Sequence, residues 1–280
     1  MTIRRIALPG GASIPALGQG TWRLGEGQRS RREEADALRL GIELGLTLID
    51  TAEMYADGGS EEVVADAIEG LRDRVTVVSK VYPHNATRRG TPDACARSLK
   101  RLRTDHLDLY LLHWRGAAPL AETVEAFERL RTAGHIRAWG VSNLDTSDME
   151  ELIGVPDGGA CAVNQVLYSP EHRGIEFDLL PACDRMKIPL MAYSPIGQGG
   201  RLLRHQALTQ AAERHNATPA QIAIAWSLRH PAVISIPKSG SAAHVRENAA
   251  SAAIRLTLED IAAIDAAFPP PRGKQGLAML

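Results

Sequence analysis

Cysteine is close to absent from this chain: Cys95, Cys161 and Cys183 are odd in number, widely spaced, and set apart from any CxxC pair or histidine cluster. Their spacing excludes a disulfide framework and gives no metal site, and it predicts three reduced thiols inside packed elements. Long apolar runs are missing as well. No window approaches the ~20 apolar residues of a membrane span, so no membrane partner is expected. Charge of one sign is also missing: the formal net charge is −1, and like charges never run together long enough to track a phosphate backbone. Nucleic acid is therefore excluded as a partner. The stretch from Met1 to Gly10 carries Arg4 and Arg5, but Pro9 and Gly10 interrupt it before it reaches the length of a signal h-region. The expected location is the reducing cytoplasm.

What the chain does have is material for a large core, with 44% hydrophobic and 23% charged residues. Its 280 residues fit one domain spanning 1–280 if that domain is a barrel of alternating strands and helices. Eight short apolar runs read as strands: Pro15–Gly20, Thr47–Thr51, Val75–Val81, His106–His113, Ile136–Ser142, Ala162–Leu167, Pro189–Ser194 and Val233–Pro237. Between and after them lie segments of helical spacing: Ser30–Leu44, Ser60–Gly70, Thr91–Leu102, Leu120–Thr132, Ser147–Ile153, Phe177–Met186, Thr218–Arg229 and Ala242–Ala250. Leu120, Val124, Phe127 and Leu130 line up one helical face, and runs such as Leu107–Leu112 are apolar nearly throughout, as parallel strands covered on both faces must be. Eight strand-then-helix units without a linker predict a (β/α)8 TIM barrel, in the α/β class.

Ser60, Thr91-Pro92 and Thr218-Pro219 read as helix starts, and Thr257 with Asp260 has capping-box spacing for an extra helix, Thr257–Ala267. Residues 3–12 read as an N-terminal β-hairpin turning at Pro9-Gly10-Gly11 and plugging the barrel bottom. The tail Pro269–Leu280 has no core pattern and reads as a loop. His172, His205, His215 and His230 are scattered singly and read as surface residues.

In such a barrel the working residues sit at the carboxyl ends of the strands. Here those ends are polar: Asp50 with Glu53 and Tyr55 just after, then Lys80 and Tyr82, His113 and Trp114, Ser142 and Asn143, Asn164 and Gln165, Tyr193 and Ser194, Lys238 and Ser239. Singly, an acid or a lysine there is a solvated loop residue or cap, and a histidine is a hydrogen-bonded structural group. Together, an acid, an ammonium, a phenol and an imidazole on neighbouring strands converge on one cleft. Tyr55 donates a proton well only if its anion is stabilised, and Lys80 would do this by lowering its pKa. Asp50 would hold Lys80, and a neutral His113 would orient a carbonyl oxygen beside the phenol. That set protonates an oxyanion as hydride arrives at carbon.

The segments Asp50-Thr51-Ala52-Glu53-Met54-Tyr55, Val78-Ser79-Lys80-Val81, Leu107 through Trp114, Gly140-Val141-Ser142-Asn143, Asn164-Gln165 and Ile236-Pro237-Lys238-Ser239 resemble the signatures of the aldo/keto reductases. The resemblance covers nearly the whole chain. It implies a catalytic tetrad at Asp50, Tyr55, Lys80 and His113, with Tyr55 as general acid and base, and NADPH as hydride donor, NADH being less favoured. It implies carboxamide ligands at Ser142, Asn143 and Gln165, and Tyr193 stacked on the nicotinamide. It further implies cofactor contacts at Thr21, Trp22, Asp50, Ser194 and Asn248, and a clamp on the 2′-phosphate at Lys238 and Ser239. Where many members carry an arginine six residues after that lysine, this chain has His244, a weaker phosphate partner, with Arg246 two residues on. A reduced margin for NADPH follows.

Trp22, Tyr82 and Trp114 match pocket-lining positions of the family and, with Tyr55 and His113, suit a small, mostly apolar carbonyl substrate; core packing is the rival reading for the aromatic residues. The segments after the fourth strand (Arg115–Ala118) and after Tyr193 read as short, with Gly197, Gly199 and Gly200 adding mobility. An open mouth and broad specificity are expected. The resemblance extends to bacterial reductases of methylglyoxal and related 2-oxoaldehydes, through Ala192-Tyr193-Ser194-Pro195 and Phe268-Pro269. Two other readings stay open: a non-catalytic nicotinamide-binding subunit, and a barrel aldolase with Lys80 as Schiff-base nucleophile. A monomer is the expected state.

Overall fold

A computed structural model describes residues 3–280. Met1 and Thr2, which belong to the amino-terminal stretch read above as no signal segment, lie outside the described residues. A hairpin of β1 (Arg5–Ala7) and β2 (Ser13–Pro15) comes first, its turn made by Gly10 and Gly11 at φ +90°, where a side chain would be strained. Eight parallel strands follow in chain order: β3 (Gln19–Gly20), β4 (Leu48–Asp50), β5 (Thr76–Val81), β6 (Leu107–Leu112), β7 (Ile136–Ser142), β8 (Asn164–Leu167), β9 (Leu190–Tyr193) and β10 (Val233–Ser235). Parallel bridges from Leu17 to Ser235 and from Gly20 to Lys238 join the last strand to the first. The Gly18 and Gly20 amides donate across this seam, to Ser235 O at 2.9 Å and Pro237 O at 3.1 Å, and the sheet closes.

Side chains alternate between two cores, as the twofold period of a strand requires. Val78, Leu109, Leu111, Met191 and Ile234 point inward, where Ile6, Leu8 and Ile14 of the hairpin pack among them and plug the barrel. Val77, Tyr110, Leu112, Trp139 and Val166 point outward, against the helices. Those helices are α1 (Arg31–Glu43), α2 (Gly59–Ile68), α3 (Gly90–Leu102), α4 (Leu120–Thr132), α5 (Thr146–Gly154), α6 (Leu179–Met186), α7 (Gln206–Arg214), α8 (Pro219–Ser227), α9 (Ala242–Ala250) and α10 (Leu258–Ala267). On α4 the expected face is buried, and Phe127 stacks on Trp139 with ring centroids 5.6 Å apart. No helix of the described residues is long and apolar enough to cross a membrane.

Several sequence expectations are corrected. The helix α7 was not foreseen: its buried face is Ala207, Leu208, Ala211 and Ala212, mostly too small to stand out, and its cap is a histidine, His205 Nδ1 accepting from Ala207 N at 3.2 Å. The segment after Tyr193 is accordingly not a short loop but a pair of 3-10 turns leading into that helix. Ser60 does not cap α2, which begins from Gly58 at φ +90°; its buried hydroxyl instead donates to Leu24 O at 2.6 Å. Thr91 lies inside α3, while Thr87 Oγ1 accepts from Gly90 N at 2.9 Å. Pro15 belongs to the hairpin, which leaves β3 short. The four histidines are half-buried and engaged, most tightly His215, 2.7 Å from the Asp260 carboxylate beneath α10. Thr218 caps α8 and Thr257 forms its capping box with Asp260, both as expected; a second capping box, between Thr218 and Gln221, was not.

All three cysteines are buried, and burial pushes each thiol up to about 12. A close backbone approach in the barrel sits at Gly18, where an added β-carbon would meet Leu48 O at 2.7 Å and Leu48 Cβ at 2.8 Å. Neither atom can rotate away. Gly18→Ala is therefore expected to cost about 3 kcal/mol by prising β3 from β4, read as a lower denaturant midpoint; an unchanged midpoint would show that the seam yields freely.

Candidate active site

Asp50 ends β4, and the chain then turns sharply: Ala56 and Asp57 take left-handed conformations, at φ +51° and +52°. For alanine this backbone is strained, and it follows directly on Tyr55, which stands over the strand end. Lys80 rises from β5 next door, registered against Asp50 through the Asp50–Val78 pair. Its ammonium is wholly buried and donates three hydrogen bonds: to Asp50 Oδ2 at 2.8 Å, Thr51 O at 2.8 Å and the Tyr55 hydroxyl at 3.2 Å. All three N–H groups of the ammonium are thus satisfied.

Burial alone would push Lys80 down, but Asp50 first and Tyr55 after it lift the ammonium above its ordinary value, so it keeps its proton. For Tyr55 the balance differs from expectation. Burial of the hydroxyl raises its pKa, Asp50 adds to the rise, and Lys80 opposes it without winning, so the net shift is upward rather than downward. The phenol remains a loaded proton donor. His113, at the end of β6, is pushed down to about 2 by burial and then by the Lys80 charge, so its imidazole is neutral, as the sequence reading required. Its ring meets Tyr55 edge-on at 5.7 Å, and its Nδ1 is buried without a hydrogen-bond partner.

A chain of polar contacts spreads from this cluster around the barrel. Gln165 Nε2 donates to the other Asp50 oxygen at 2.7 Å, leaving its own carbonyl oxygen free to accept. Ser142 Oγ donates to Gln165 O at 2.9 Å. Asn143, left-handed at φ +57°, donates to His113 O at 3.1 Å and accepts from the Tyr193 hydroxyl at 3.0 Å. Glu53, which the sequence reading left without a role, accepts from Tyr82 N at 2.8 Å and so ties the turn bearing Tyr55 to the loop after β5.

These groups surround a mostly apolar cavity of about 320 Å³ at the carboxyl-terminal mouth of the barrel. Trp22, Asp50, Tyr55, His113, Trp114, Ser142, Asn143, Gln165, Tyr193, Ser194 and Lys238 all reach its wall. Lys80 stands behind the wall, and Tyr82 reaches it indirectly, edge-on to Trp114 at 5.2 Å. Four expected cofactor contacts are not brought to the cavity. Thr21 is buried and spends its hydroxyl on Asp50 O at 3.0 Å. Ser239 Oγ closes a turn with Ser241 at 3.0 Å, His244 is exposed on α9, and Asn248 is buried in that helix. Met54, Met279 and Leu280 line the cavity unforeseen. The tail is no idle loop: Lys274 pairs with Asp178 at 3.4 Å, Leu277 packs on the core, and the final residues narrow the mouth that short loops were expected to leave open. The apolar run Leu277–Leu280 that ends the tail was the only signal in the sequence. Among the described residues no group of acids, histidines or cysteines stands ready to hold a metal.

The order of these residues along a (β/α)8 barrel is a family trait. The profile of the Aldo/keto reductase family matches residues 16–268; the chain belongs to that family and is an oxidoreductase. Among its relatives, the methylglyoxal reductase YeaE of Escherichia coli (strain K12) is 52% identical over 284 aligned positions, covering 100% of both chains. The glyoxal reductase of Bacillus subtilis (strain 168) is 36% identical, covering 93% of this chain and 91% of its own. The crystal structure of an aldo/keto reductase from Klebsiella pneumoniae in complex with NADP and acetate superposes with a TM-score of 0.97 at 52% identity, over 100% of both chains.

The neutral His113 has a consequence for stability. Its folded pKa lies below the unfolded value of 6.5, so only the unfolded chain takes up a proton as the pH falls through 6.5, and the fold is destabilised below that point and unaffected above it. Between pH 7 and pH 5 the wild type is expected to lose about 2 kcal/mol more than His113→Gln, in denaturant titrations at each pH. Parallel pH profiles would mean that the imidazole is protonated in the folded chain.

Proposed function

We propose that the chain reduces the carbonyl of small 2-oxoaldehydes, methylglyoxal first among them, to an alcohol with NADPH, and that Tyr55 gives the proton. The observation that carries this reading is the buried ammonium of Lys80, 3.2 Å from the Tyr55 hydroxyl and anchored by Asp50, at the wall of a small apolar cavity. A phenol that leaves its proton on a carbonyl oxygen becomes a phenolate, and the Lys80 ammonium is placed to hold that charge as it forms. The neutral His113 ring can donate a hydrogen bond to the same carbonyl oxygen and orient it beside Tyr55. Asp50 and Thr51 O keep the ammonium pointed at the phenol throughout.

The residues of the mouth fit a nicotinamide dinucleotide. Gly20 lines the cavity with its backbone packed close on the barrel seam, where a β-carbon would strike Ile236 O at 2.9 Å, and Gln165 keeps a free acceptor within the wall. Tyr193 would meet the nicotinamide ring, Ser142, Asn143 and Gln165 its carboxamide, and Ser194 and Lys238 the adenosine end; when bound, NADPH supplies the hydride. Trp22, Met54, Trp114 and the tail residues Met279 and Leu280 leave room for a small substrate with little polar surface. The methylglyoxal and glyoxal reductases among the relatives support that substrate class, and the NADP-bound relative supports the cofactor. The raised Lys80 argues against an aldolase, because a Schiff base needs the lone pair of a free amine. Within the same proposal, residues 1–280 act as one domain, as a monomer, in the cytoplasm.

Tyr55→Phe is the decisive substitution, since it removes the proton and keeps the ring. NADPH consumption with methylglyoxal is expected to fall by about 10²–10⁴-fold while NADPH still binds. Activity near the wild-type level would move the acid to another residue, and a wild type that binds NADPH yet turns over no carbonyl compound would favour a redox-sensing subunit.

A further inference from the structure

The NADPH reading leaves a gap at the 2′-phosphate. His244, where the family pattern has an arginine, is exposed, and Arg246 turns back along α9, its Nη1 donating to Ala242 O at 3.3 Å. Facing the start of α9, however, is the loop between β3 and α1. Leu24 and Arg29 of that loop pack onto Gly240: a β-carbon there would lie 3.4 Å from Leu24 Cδ2, 3.5 Å from Arg29 Cδ and 3.8 Å from Arg29 Nε. Arg29 thus packs at van der Waals distance on Gly240, the residue next to Ser239 and two on from Lys238.

Arg23 stands on the same loop, held in a left-handed conformation at φ +66°, with its guanidinium 4.4 Å over the ring of Trp22 on the cavity wall. Among the described residues no carboxylate comes within ion-pair distance of Arg23, Arg29 or Lys238, although arginines such as Arg31, Arg72, Arg101 and Arg115 are paired. The nearby acid Glu34 is already committed, accepting from Gly25 N at 2.8 Å. Burial pushes the Lys238 ammonium below its ordinary value, with Arg23 and Arg29 pushing the same way against Glu34 and Glu26. Cations gathered around a glycine repel one another unless an anion completes the set. The first turn of α9 adds open amides to that place, since Ser241 makes no side-chain cap.

We propose that Arg29, reaching across from the β3–α1 loop, is the specificity-determining cation for the 2′-phosphate of NADPH, in the role that His244 does not fill. This rests on the NADPH reading of the cavity. A guanidinium offers a phosphate two parallel N–H donors, which an imidazole cannot match. The preference for NADPH over NADH would then be set by a loop on the opposite side of the seam from α9, and it would be full rather than reduced.

The test is binding, independent of turnover. Dissociation constants are measured by fluorescence titration with NADPH and NADH, and by calorimetry with 2′,5′-ADP and 5′-ADP. Arg29→Gln is expected to weaken NADPH and 2′,5′-ADP roughly tenfold and to leave NADH and 5′-ADP within about twofold. Arg246→Gln, on a side chain turned to its own helix, is expected to move none of the four by more than about twofold. Equal weakening of NADPH and NADH by Arg29→Gln would place Arg29 on the pyrophosphate and overturn the proposal, as would no change at all. Tight NADPH binding by the wild type in either case would leave the NADPH reading intact, whereas a wild type that binds neither dinucleotide would overturn both.

Discussion

Moving an ammonium out of water costs several kcal/mol even after the protein relaxes, and Lys80 carries its charge at a position with no solvent exposure. That cost is offset only if every N–H meets an acceptor, so three acceptors have to arrive together: a carboxylate from the neighbouring strand, a backbone carbonyl one residue later, and a phenol from the turn that follows. The demand explains why Asp50 is gripped on both oxygens, by Lys80 on one and Gln165 on the other. From Gln165 the contacts pass to Ser142, Asn143, His113 and Tyr193, so that one buried charge organises strands on both sides of the barrel.

The same burial sets the proton affinities. A lysine beside a phenol suggests an acidified tyrosine, but that argument assumes water-like surroundings. Here the hydroxyl is itself desolvated and shares its neighbourhood with a carboxylate, and those two effects outweigh the ammonium. For His113 desolvation and Lys80 act in one direction, and the imidazole is neutral by a wide margin. Two groups a few ångströms apart thus answer differently to the same burial, because one is charged when it loses a proton and the other when it gains one, while the Lys80 charge pushes both downward.

How far the sequence could be read depended on whether a residue's role is local. Parallel strands covered on both faces must be apolar, and that made all eight visible; Ile136–Ser142, Leu120–Thr132 and Ala242–Ala250 even have the expected bounds. The cluster of Asp50, Tyr55, Lys80 and His113 was legible because its members stand at the ends of consecutive strands. Roles set by distant contacts were hidden. Ser60 has the chemistry of a cap, yet its hydroxyl serves a loop some forty residues earlier in the chain. Thr21 sits one residue from the cavity and spends itself on the backbone of Asp50. The apolar end of the tail gave no period to read, and Arg29 gains its meaning only from packing on Gly240, far along the chain and beside Ser239.

The buried cysteines have a bearing on how such a protein lasts. With the thiol at about 12, the reactive thiolate is about one part in 10⁵ at neutral pH, and the sulfur atoms are out of reach of solvent besides. Electrophiles and peroxides that cap or oxidise exposed cysteines therefore find no purchase in the folded chain. Its durability in their presence is governed by how rarely the barrel opens rather than by the chemistry of its surface.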